Sequence, residues 1–477
     1  MRIGFPKEQI IKRMVSENPW WTAKTVGKLY QGMRRREYFK LLFPLITEKR
    51  VKRALVILGP RRIGKTVLIF QSVEELIRKE GVPPKNICYF SVDTPTYNGI
   101  GLEELLQLNL EYNKLKKNER ELYIFFDEIQ YLKDWEIHLK SLVDSYPYIK
   151  FIVSGSAAAA LRLKSMESGA GRFTDFILPP LTFQEYLSLK GLEPLINSKQ
   201  DKAGIQQFHA SDMKELNKHF INYINYGGYP EVSLNPVIQS DPGRYIKNDI
   251  IDKVLLRDLP TLYGVGDVTE LNSLFTYLAY NSGNEMSLDG ISQNSGVSAN
   301  TIKKYLAYLE AAFLITVVQR IDQGAKKFKR ANFFKIYLTN PSLRCALFSP
   351  IDEREAFAGH LVETAVFSQW EHASDALYYA RWKSGEVDMV DLGGNTGKPR
   401  WAGEVKWSDR CTANYSEIHN LLSFAMKNNL KEVIVTTYMA EKYANIGGIG
   451  VQFTPSALYC YSVGRNLLKP QRKNYME

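Results

Sequence analysis

Cysteine is scarce in this sequence, with four residues among 477. No two of them form a Cys-x-x-Cys pair, so their spacing excludes a zinc-binding or disulfide framework and indicates a reducing compartment. No apolar run approaches the roughly 18 residues that cross a bilayer, and the N-terminus lacks the apolar segment of a secretory signal. We therefore expect a cytoplasmic protein with no membrane partner.

Acidic residues are outnumbered by basic ones, 51 against 62, which gives a formal net charge of +11. The basic excess is concentrated in two stretches. Residues 1–53 contain 14 Lys or Arg against 4 Glu, with Arg34, Arg35 and Arg36 the densest point, and residues 300–335 contain 8 against 2 acidic residues. This clustering favours a nucleic-acid partner, with DNA favoured over RNA. Two solvated surfaces would have the same composition.

The most specific motif is Gly59-Pro-Arg-Arg-Ile-Gly-Lys-Thr66, which follows the apolar run Leu55–Leu58 and precedes a helix-forming stretch. Strand, loop and helix in this order are typical of a phosphate-binding loop. Its glycines let the loop close around phosphate oxygens, and its backbone N–H groups and helix N-terminus face the negative charge. We expect Lys65 to reach the β- and γ-phosphates of ATP and Thr66 to ligate Mg²⁺. The predicted nucleotide-binding residues are Gly59, Pro60, Arg61, Arg62, Ile63, Gly64, Lys65, Thr66 and Ser154.

Short apolar segments alternate with helical ones from 54 to 178, which predicts a parallel α/β sheet. The segment Leu122–Phe126 is apolar throughout, as a strand buried on both faces requires. Because ligands bind at the carboxyl ends of parallel strands, Asp127 is predicted to hold Mg²⁺ and Glu128 to act as general base on the attacking water. The predicted strands are Ala54–Leu58, Ile87–Val92, Leu122–Phe126, Lys150–Val153 and Phe176–Leu178.

Two further positions have two interpretations each. Ser154 is either a sensor of the γ-phosphate or an ordinary helix N-cap. Arg172, in the run Gly169-Ala-Gly-Arg, is either an arginine finger that stabilises charge on the transferring phosphoryl group or one partner of a structural ion pair. A finger supplied in trans would require a homo-oligomer.

The runs GPRRIGKT, IFFDEIQ, VSGSAA and GRF followed by LPPLTFQEYL resemble a prokaryotic AAA-type ATPase family, as do GGYPEV at 227–232 and LLRD at 255–258. The resemblance covers most of the chain beyond the N-terminal arm. It implies an α/β fold: an AAA-like parallel-sheet core with a helical lid, a winged helix-turn-helix domain and a nuclease-like domain. The expected divisions are a basic helical arm at 1–53, the ATPase core with its lid at 54–235, a helical linker and winged helix at 236–340, and the nuclease-like domain at 341–477.

Residues 287–306 predict a short helix, a glycine-containing turn and a second helix capped by Ser298, which is a helix-turn-helix. Apolar residues at helical spacing would face the core and leave Asn300, Lys303 and Lys304 toward a DNA groove. A protein-packing module is the alternative. A hairpin between 314 and 338 would form the wing, with basic residues at its tip that suit phosphate contacts: Lys326, Lys327, Lys329 and Arg330.

Asp388 and Glu404-x-Lys406 have the D…E-x-K spacing on two predicted strands. Residues i and i+2 of a strand share a face, so Glu404 and Lys406 should point together, toward Asp388. The stretch 363–406 resembles the PD-(D/E)XK nuclease superfamily. The resemblance implies that Glu363, Asp388 and Glu404 bind Mg²⁺, with Lys406 steadying the nucleophile or the developing charge. The alternative is a half-exposed strand of alternating charge.

Together these patterns predict a Mg²⁺-dependent ATPase that binds nucleic acid and couples ATP to a phosphodiesterase-like site. The alternative is an ATP-dependent switch or scaffold whose nuclease fold is inactive. In the enzyme hypothesis, the predicted catalytic residues are Lys65, Glu128, Arg172, Glu404 and Lys406.

Overall fold

A computed structural model describes residues 5–116, 121–155, 171–200, 206–328, 332–355, 357–372, 377–393 and 397–467. The chain divides into two compact units, Met1–Pro179 and Pro180–Glu477. Within the described ranges, no helix is both long enough and apolar enough to cross a membrane.

A parallel sheet forms the core of the N-terminal unit, and its described strands follow the order β2-β3-β4-β1-β5. The first and third strands are buried along their whole length, as expected for strands covered on both faces. All five predicted strands are present, with ends that shift by up to three residues. The strands are β1 Ala54–Leu58, β2 Ile87–Ser91, β3 Leu122–Asp127, β4 Ile149–Gly155 and β5 Phe173–Ile177; the helices are α1 Lys7–Glu17, α2 Trp20–Ala23, α3 Lys28–Gln31, α4 Phe39–Thr47, α5 Lys65–Arg78, α6 Leu102–Asn113 and α7 Trp135–Ser145.

The N-terminal arm lies along β2, which is an edge strand of this sheet. The indole N–H groups of Trp20 and Trp21 donate to Ile87 O at 3.0 and 2.8 Å. Tyr89 N donates to Asn18 Oδ1 at 2.7 Å, and Asn18 Nδ2 donates to Tyr89 O at 2.9 Å. These side chains satisfy backbone groups that would otherwise be open to another strand.

The C-terminal unit is built from helices packed on a second, larger sheet. An antiparallel hairpin, half of whose residues are exposed, is formed by β6 Ile196–Gln200 and β7 Gln206–Ala210; residues 201–205 lie outside the described ranges. The helices are α8 Phe183–Lys190, α9 Met213–Tyr226, α10 Pro230–Leu234, α11 Pro236–Gln239, the wider helical segments Gly243–Asp252 and Val254–Asp258, α12 Leu259–Tyr263, α13 Val268–Tyr280, α14 Leu288–Ser295, α15 Ala299–Ala311, α16 Ser342–Leu347, α17 Ala358–Gln369, α18 His419–Lys427 and α19 Ser456–Leu467.

The large sheet is mixed, and its described strands follow the order β15-β16-β14-β13-β12-β11-β9-β10-β8. Its centre runs antiparallel from β11 to β13, and β14 is parallel to both β13 and β16. The strands are β8 Glu285–Ser287, β9 Ile315–Ile321, β10 Phe333–Leu338, β11 Leu377–Trp382, β12 Gly385–Leu392, β13 Pro399–Glu404, β14 Glu432–Thr437, β15 Lys442–Ile446 and β16 Ile449–Pro455.

This sheet joins two segments that the sequence predicts as separate domains. The hairpin β9–β10 continues into the predicted nuclease-like strands through a parallel pair in which Tyr378 lies opposite Gln319. The helices α8 to α10, predicted as an ATPase lid, also fall within the C-terminal unit. The observed division at Pro179/Pro180 therefore differs from the predicted divisions at 235/236 and 340/341. Pairing between strands so distant in sequence leaves no local signal in the residue pattern.

Candidate functional site

The phosphate-binding loop connects β1 to α5. Gly64, at the N-terminus of α5, has φ of 94°, a conformation that favours glycine. At Gly59, a Cβ atom would lie 2.1 Å from the carbonyl oxygen of Leu178, so only glycine fits there. Lys65 Nζ is buried and donates to Gly59 O and Pro60 O at 3.0 and 2.7 Å, which holds its ammonium inside the loop.

Asp127, at the carboxyl end of β3, connects three strands of the sheet. Thr66 Oγ1 and Tyr89 OH donate to its Oδ2 at 2.7 and 2.9 Å, and the Ser154 hydroxyl donates to its Oδ1. The strand order brings these residues together because β3 and β1 both flank β4. Thr66 and Asp127, the two predicted Mg²⁺ ligands, are therefore adjacent. The Tyr89 contact was missed by the sequence reasoning, because Tyr89 lies in a strand that carries no motif.

Glu128 follows Asp127 at the same edge of the sheet. Its backbone has φ of 55°, which is unusual for a residue with a side chain. Its backbone N–H donates to Asp127 Oδ1 at 3.2 Å, and Gln130 Nε2 donates to its Oε2. Strained backbone of this kind is common at functional positions; the role of Glu128 as general base stays a prediction.

Arg172 is not placed to act on the phosphate-binding loop of its own chain. It immediately precedes β5, which runs parallel to β1 with Phe173 opposite Ala54. Arg172 therefore lies at the amino edge of the sheet, whereas the loop begins at the carboxyl edge. Its Nε is 2.8 Å from Asp144 Oδ1, and both side chains are about half exposed. The structural ion pair is the interpretation that this geometry supports; Gly169 lies outside the described residues.

Two arginines of the triplet at 34–36 form contacts within the N-terminal unit. Arg36 is buried, and its Nη1 donates to Ile63 O and Pro179 O at 3.2 and 3.0 Å. Arg35 forms an ion pair of 2.8 Å with Glu75. Arg36 thus supports the phosphate-binding loop through Ile63, a role that its position in a basic cluster did not predict.

The D…E-x-K residues come together in the C-terminal unit, on β12 and at the end of β13. Val405 N donates to Asp388 Oδ2 at 2.8 Å, and Lys406 Nζ is 2.8 Å from Glu404 Oε1. Lys406 is held in turn by a backbone hydrogen bond of 2.9 Å from its N–H to Thr436 Oγ1 on β14. The other carboxylate oxygen, Glu404 Oε2, is buried and has no hydrogen-bond partner.

Burial sets the electrostatics of this cluster. Desolvation, and then the neighbouring Glu363, raise the pKa of Asp388 above the usual range of an aspartate. Desolvation, and then Asp388, raise the pKa of Glu404 in the same way. Burial opposes the charge of Lys406, but Glu404 and Asp388 together raise its pKa. The raised pKa values mean that these carboxylates resist ionisation. A bound cation would stabilise their ionised form.

Lys335, on β10, is a member of this cluster that the sequence reasoning missed. Its side chain is 5% exposed, and its Nζ lies 3.2 Å from Glu363 Oε1, 2.7 Å from Glu386 Oε1 and 3.8 Å from Asp388 Oδ1. Tyr337, two residues along the same strand, donates to Glu363 Oε1 at 2.6 Å. The signal in the sequence is one lysine inside an otherwise apolar strand, FFKIYL.

The three-carboxylate metal site is not assembled as predicted. Among the described residues, no three His, Cys, Asp or Glu side chains are arranged to hold a metal ion. Glu363 lies in the cluster, but its Oε1 contacts Lys335 and Tyr337. Asp391, a further carboxylate on β12, forms an ion pair of 2.7 Å with Arg400. Asp388 and Glu404 remain as candidate ligands, and the unpartnered oxygen belongs to Glu404.

The predicted helix-turn-helix corresponds to α14 and α15. Ser298 caps α15 by accepting a hydrogen bond of 3.2 Å from Thr301 N. The side chains of Asn300, Lys303 and Lys304 are exposed, whereas the predicted core face is buried: Ile302, Tyr305, Leu306, Leu309 and Phe313. At the hairpin, Lys326 and Lys327 are exposed, and Lys329 and Arg330 lie outside the described residues.

Family comparison assigns a class to the first of these sites. Residues 51–187 match a family described as an AAA domain (AAA_14). That range contains the phosphate-binding loop, Asp127 and Glu128, and the sheet that positions them. The N-terminal unit therefore carries an AAA-type P-loop ATPase domain. Residues 217–354 match a domain of unknown function (DUF8612), a range that includes the helix-turn-helix, the hairpin and Lys335.

Similar chains occur in a bacterium and an archaeon. An uncharacterized protein of Haemophilus influenzae is 26% identical over 406 residues, which cover 83% of this chain and 92% of the relative. An uncharacterized protein of Methanocaldococcus jannaschii is 26% identical over 349 residues, covering 71% of this chain and 72% of the relative. The similarity therefore extends well beyond the ATPase domain.

Solved structures are similar at a lower level. A Walker-type ATPase of Pyrococcus abyssi has a TM-score of 0.38 at 15% identity, covering 65% of this chain and 94% of that one. The ORC2 protein of Aeropyrum pernix has the same score and identity, covering 72% and 96%.

Proposed function

We propose that this protein is a Mg²⁺-dependent ATPase that acts on nucleic acid, and that its C-terminal unit cleaves phosphodiester bonds under the control of ATP. The observation that carries the second part is the partly buried cluster of Asp388, Glu404 and Lys406, in which the buried Glu404 Oε2 has no partner. Buried polar atoms are rarely left unpaired without a reason.

At the ATPase site, Lys65 and the loop backbone would hold the phosphates of ATP. Thr66 Oγ1 and Asp127 Oδ2, 2.7 Å apart, fit a shared Mg²⁺, whose charge would offset that of the phosphates. Tyr89 and Ser154 keep the Asp127 carboxylate in place, as outer residues do for metal ligands. Glu128 would take the proton of the attacking water. Contact between Ser154 and the γ-phosphate remains a prediction.

At the second site, Asp388 and Glu404 supply the carboxylate oxygens that Mg²⁺ prefers, and a bound ion would supply Lewis acidity toward a phosphate. Lys406 would stabilise negative charge on that phosphate as the ester bond breaks. Its ion pair with Glu404 holds the ammonium, and the hydrogen bond from its backbone N–H to Thr436 Oγ1 holds the main chain, before substrate arrives.

The nucleic-acid surface in this proposal is the exposed face of α15 with the tip of the β9–β10 hairpin. Asn300, Lys303 and Lys304 lie on the first and Lys326 and Lys327 on the second. The hairpin belongs to the same sheet as Asp388 and Glu404. Nucleic acid held by this surface would therefore be held by the body that carries the proposed cleavage site.

The proposal is tested by incubating the full chain with labelled linear, circular and branched DNA and Mg²⁺, with and without ATP. Glu404→Gln should abolish cleavage and leave ATP hydrolysis unchanged. Glu128→Gln should lower ATP hydrolysis by about 10²–10⁴-fold, the usual contribution of a general base. The matched controls are Glu432→Gln, an exposed carboxylate on β14, and Glu121→Gln, an exposed carboxylate of the N-terminal unit.

A second candidate is an ATP-dependent binding switch whose nuclease-like fold is inactive. It is favoured by the ammonium of Lys335 among Glu363, Glu386 and Asp388, since a lysine there neutralises carboxylates without a metal. Under this hypothesis the wild-type chain cleaves none of the substrates while it hydrolyses ATP. Cleavage that survives Glu404→Gln would contradict the assignment of the site.

A further inference from the structure

Lys335 is oriented into the protein although it belongs to one of the two strongly basic stretches of the sequence. It lies on β10, pairs with Glu285 of β8 and Val318 of β9, and is 4% exposed. Both flanking strands lie in the segment 285–321, which contains the helix-turn-helix. Lys335 therefore belongs to the helix-turn-helix region and not to the strands that carry the D…E-x-K residues. A buried lysine is tolerated only where nearby charges pair with it.

The surroundings of Lys335 Nζ are acidic. Three carboxylates face it: Glu363 from α17 at 3.2 Å, and Glu386 and Asp388 from β12 at 2.7 and 3.8 Å. The ammonium fills the space between these oxygens.

The carboxylates of the cluster divide into two sides. Glu363 and Glu386 face Lys335, and Arg381 Nη1 lies 3.1 Å from the second oxygen of Glu386. Glu404 faces Lys406 through Oε1 and keeps Oε2 unpartnered. Asp388 lies between the two, with Oδ1 toward Lys335 and Oδ2 bonded to Val405 N. Only the Glu404 side presents a buried oxygen without a partner.

We infer that Lys335 is a built-in cation that occupies one half of the carboxylate cluster, so that the site binds a single divalent ion, between Asp388 and Glu404. The inference rests on the proposed phosphodiesterase-like site. It assigns to the helix-turn-helix region a residue of that site: β10 supplies the charge that a second ion would supply. Lys335 would act on substrate through the carboxylates it positions, so it is a positioning residue.

The test counts Mn²⁺ ions bound to nucleotide-free, full-length protein by electron paramagnetic resonance. We expect one ion per wild-type chain, lost in Glu404→Gln. Lys335→Ala removes the ammonium and leaves space among Glu363, Glu386 and Asp388, so we expect it to bind two ions, the second lost on addition of Glu363→Gln. Lys335→Arg, which keeps the charge, and Lys326→Met, which removes an exposed lysine of the same hairpin, should each bind one.

The outcomes separate this inference from the proposed function. No Glu404-dependent ion in the wild-type chain would overturn the proposed function. One ion in both the wild-type chain and Lys335→Ala, with unchanged affinity, would overturn only the role of Lys335, as would two ions in the wild-type chain. If Lys335→Ala does not fold, Lys335→Ala/Glu386→Gln replaces it, since this pair removes one charge of each sign, and two ions are again expected.

Discussion

At the scale of the residue, Gly59 illustrates how closely the ATPase loop is packed. A Cβ at this position would lie 2.1 Å from Leu178 O, a backbone atom that is fixed because Leu178 N donates to Leu58 O at 2.7 Å. Gly59→Ala must therefore displace either the loop or the chain after β5. We expect a loss of about 1–3 kcal/mol or more in the free energy of unfolding of the N-terminal unit, and weaker nucleotide binding.

Urea unfolding and titration with a fluorescent ATP analogue measure the two effects. Gly27→Ala is the matched control, because no atom lies within 4 Å of its added Cβ. Equal stability of the two variants would contradict the steric argument for Gly59.

Glu371 gives a pH dependence that is independent of the proposed metal site. It follows α17 in the chain, and the Thr316 hydroxyl donates to its Oε1. Burial raises its pKa from 4.5 to about 7. Between these values the unfolded state loses its proton while the folded state keeps it, so the free energy of unfolding falls as pH rises from 4.5 to 7. Above pH 7 the free energy of unfolding is lower by the full amount, on the order of 3 kcal/mol.

Glu371→Gln should remove this pH dependence. The variant is expected to be more stable than the wild-type chain at pH 8 and to lose that advantage at pH 5. Urea unfolding at both pH values measures the difference, with the exposed Glu432→Gln as control. A Gln variant that is equally destabilised at both pH values would show that Glu371 does not titrate in this window.

At the scale of the element, the edge strand β2 depends on side chains of the N-terminal arm. Asn18 is buried and makes two hydrogen bonds to the backbone of Tyr89 and one of 2.7 Å to Met14 O. Asn18→Ala leaves the N–H and C=O of Tyr89 without this partner, and buried backbone groups are costly when unpaired. We expect the free energy of unfolding of this unit to fall by about 2–4 kcal/mol.

Hydrogen exchange at Tyr89 and urea unfolding check this expectation, with the exposed Asn98→Ala as control, for which a change within about 0.5 kcal/mol is expected. Protection of the Tyr89 amide that survives Asn18→Ala would mean that another group covers the edge of β2.

The elements also show which features can be predicted from the sequence. The strand Leu122–Asp127 is a continuous apolar run that ends in a carboxylate, so the sequence predicts a strand at Leu122–Phe126 with Asp127 at its carboxyl end. The role of Arg172 stayed open between a finger and an ion pair, because a glycine-rich loop does not reveal which edge of the sheet it serves. Lys335 was counted as surface charge, because a lysine in a strand reveals its partners only when β10 is paired and α17 is packed against it.

At the scale of the whole molecule, the net charge of +11 makes salt a test of the nucleic-acid proposal. Binding through phosphates releases counterions, so the affinity for duplex DNA falls with salt along a slope set by the number of contacts. Lys303 and Lys304 are neighbours on the exposed face of α15. If both contact phosphates, Lys303→Gln/Lys304→Gln should reduce the slope of log K against log salt by roughly 2.

Fluorescence anisotropy of labelled duplex DNA between 50 and 200 mM KCl, the range in which such slopes are large, measures this change. Lys214→Gln/Lys218→Gln is the matched control: it removes the same two charges from exposed positions on α9, so any effect of net charge alone appears in both variants. A slope reduced only in the α15 variant locates the phosphate contacts on that helix. Equal slopes in both variants would contradict the α15 assignment, and binding that does not respond to salt would favour a protein partner for the helix-turn-helix.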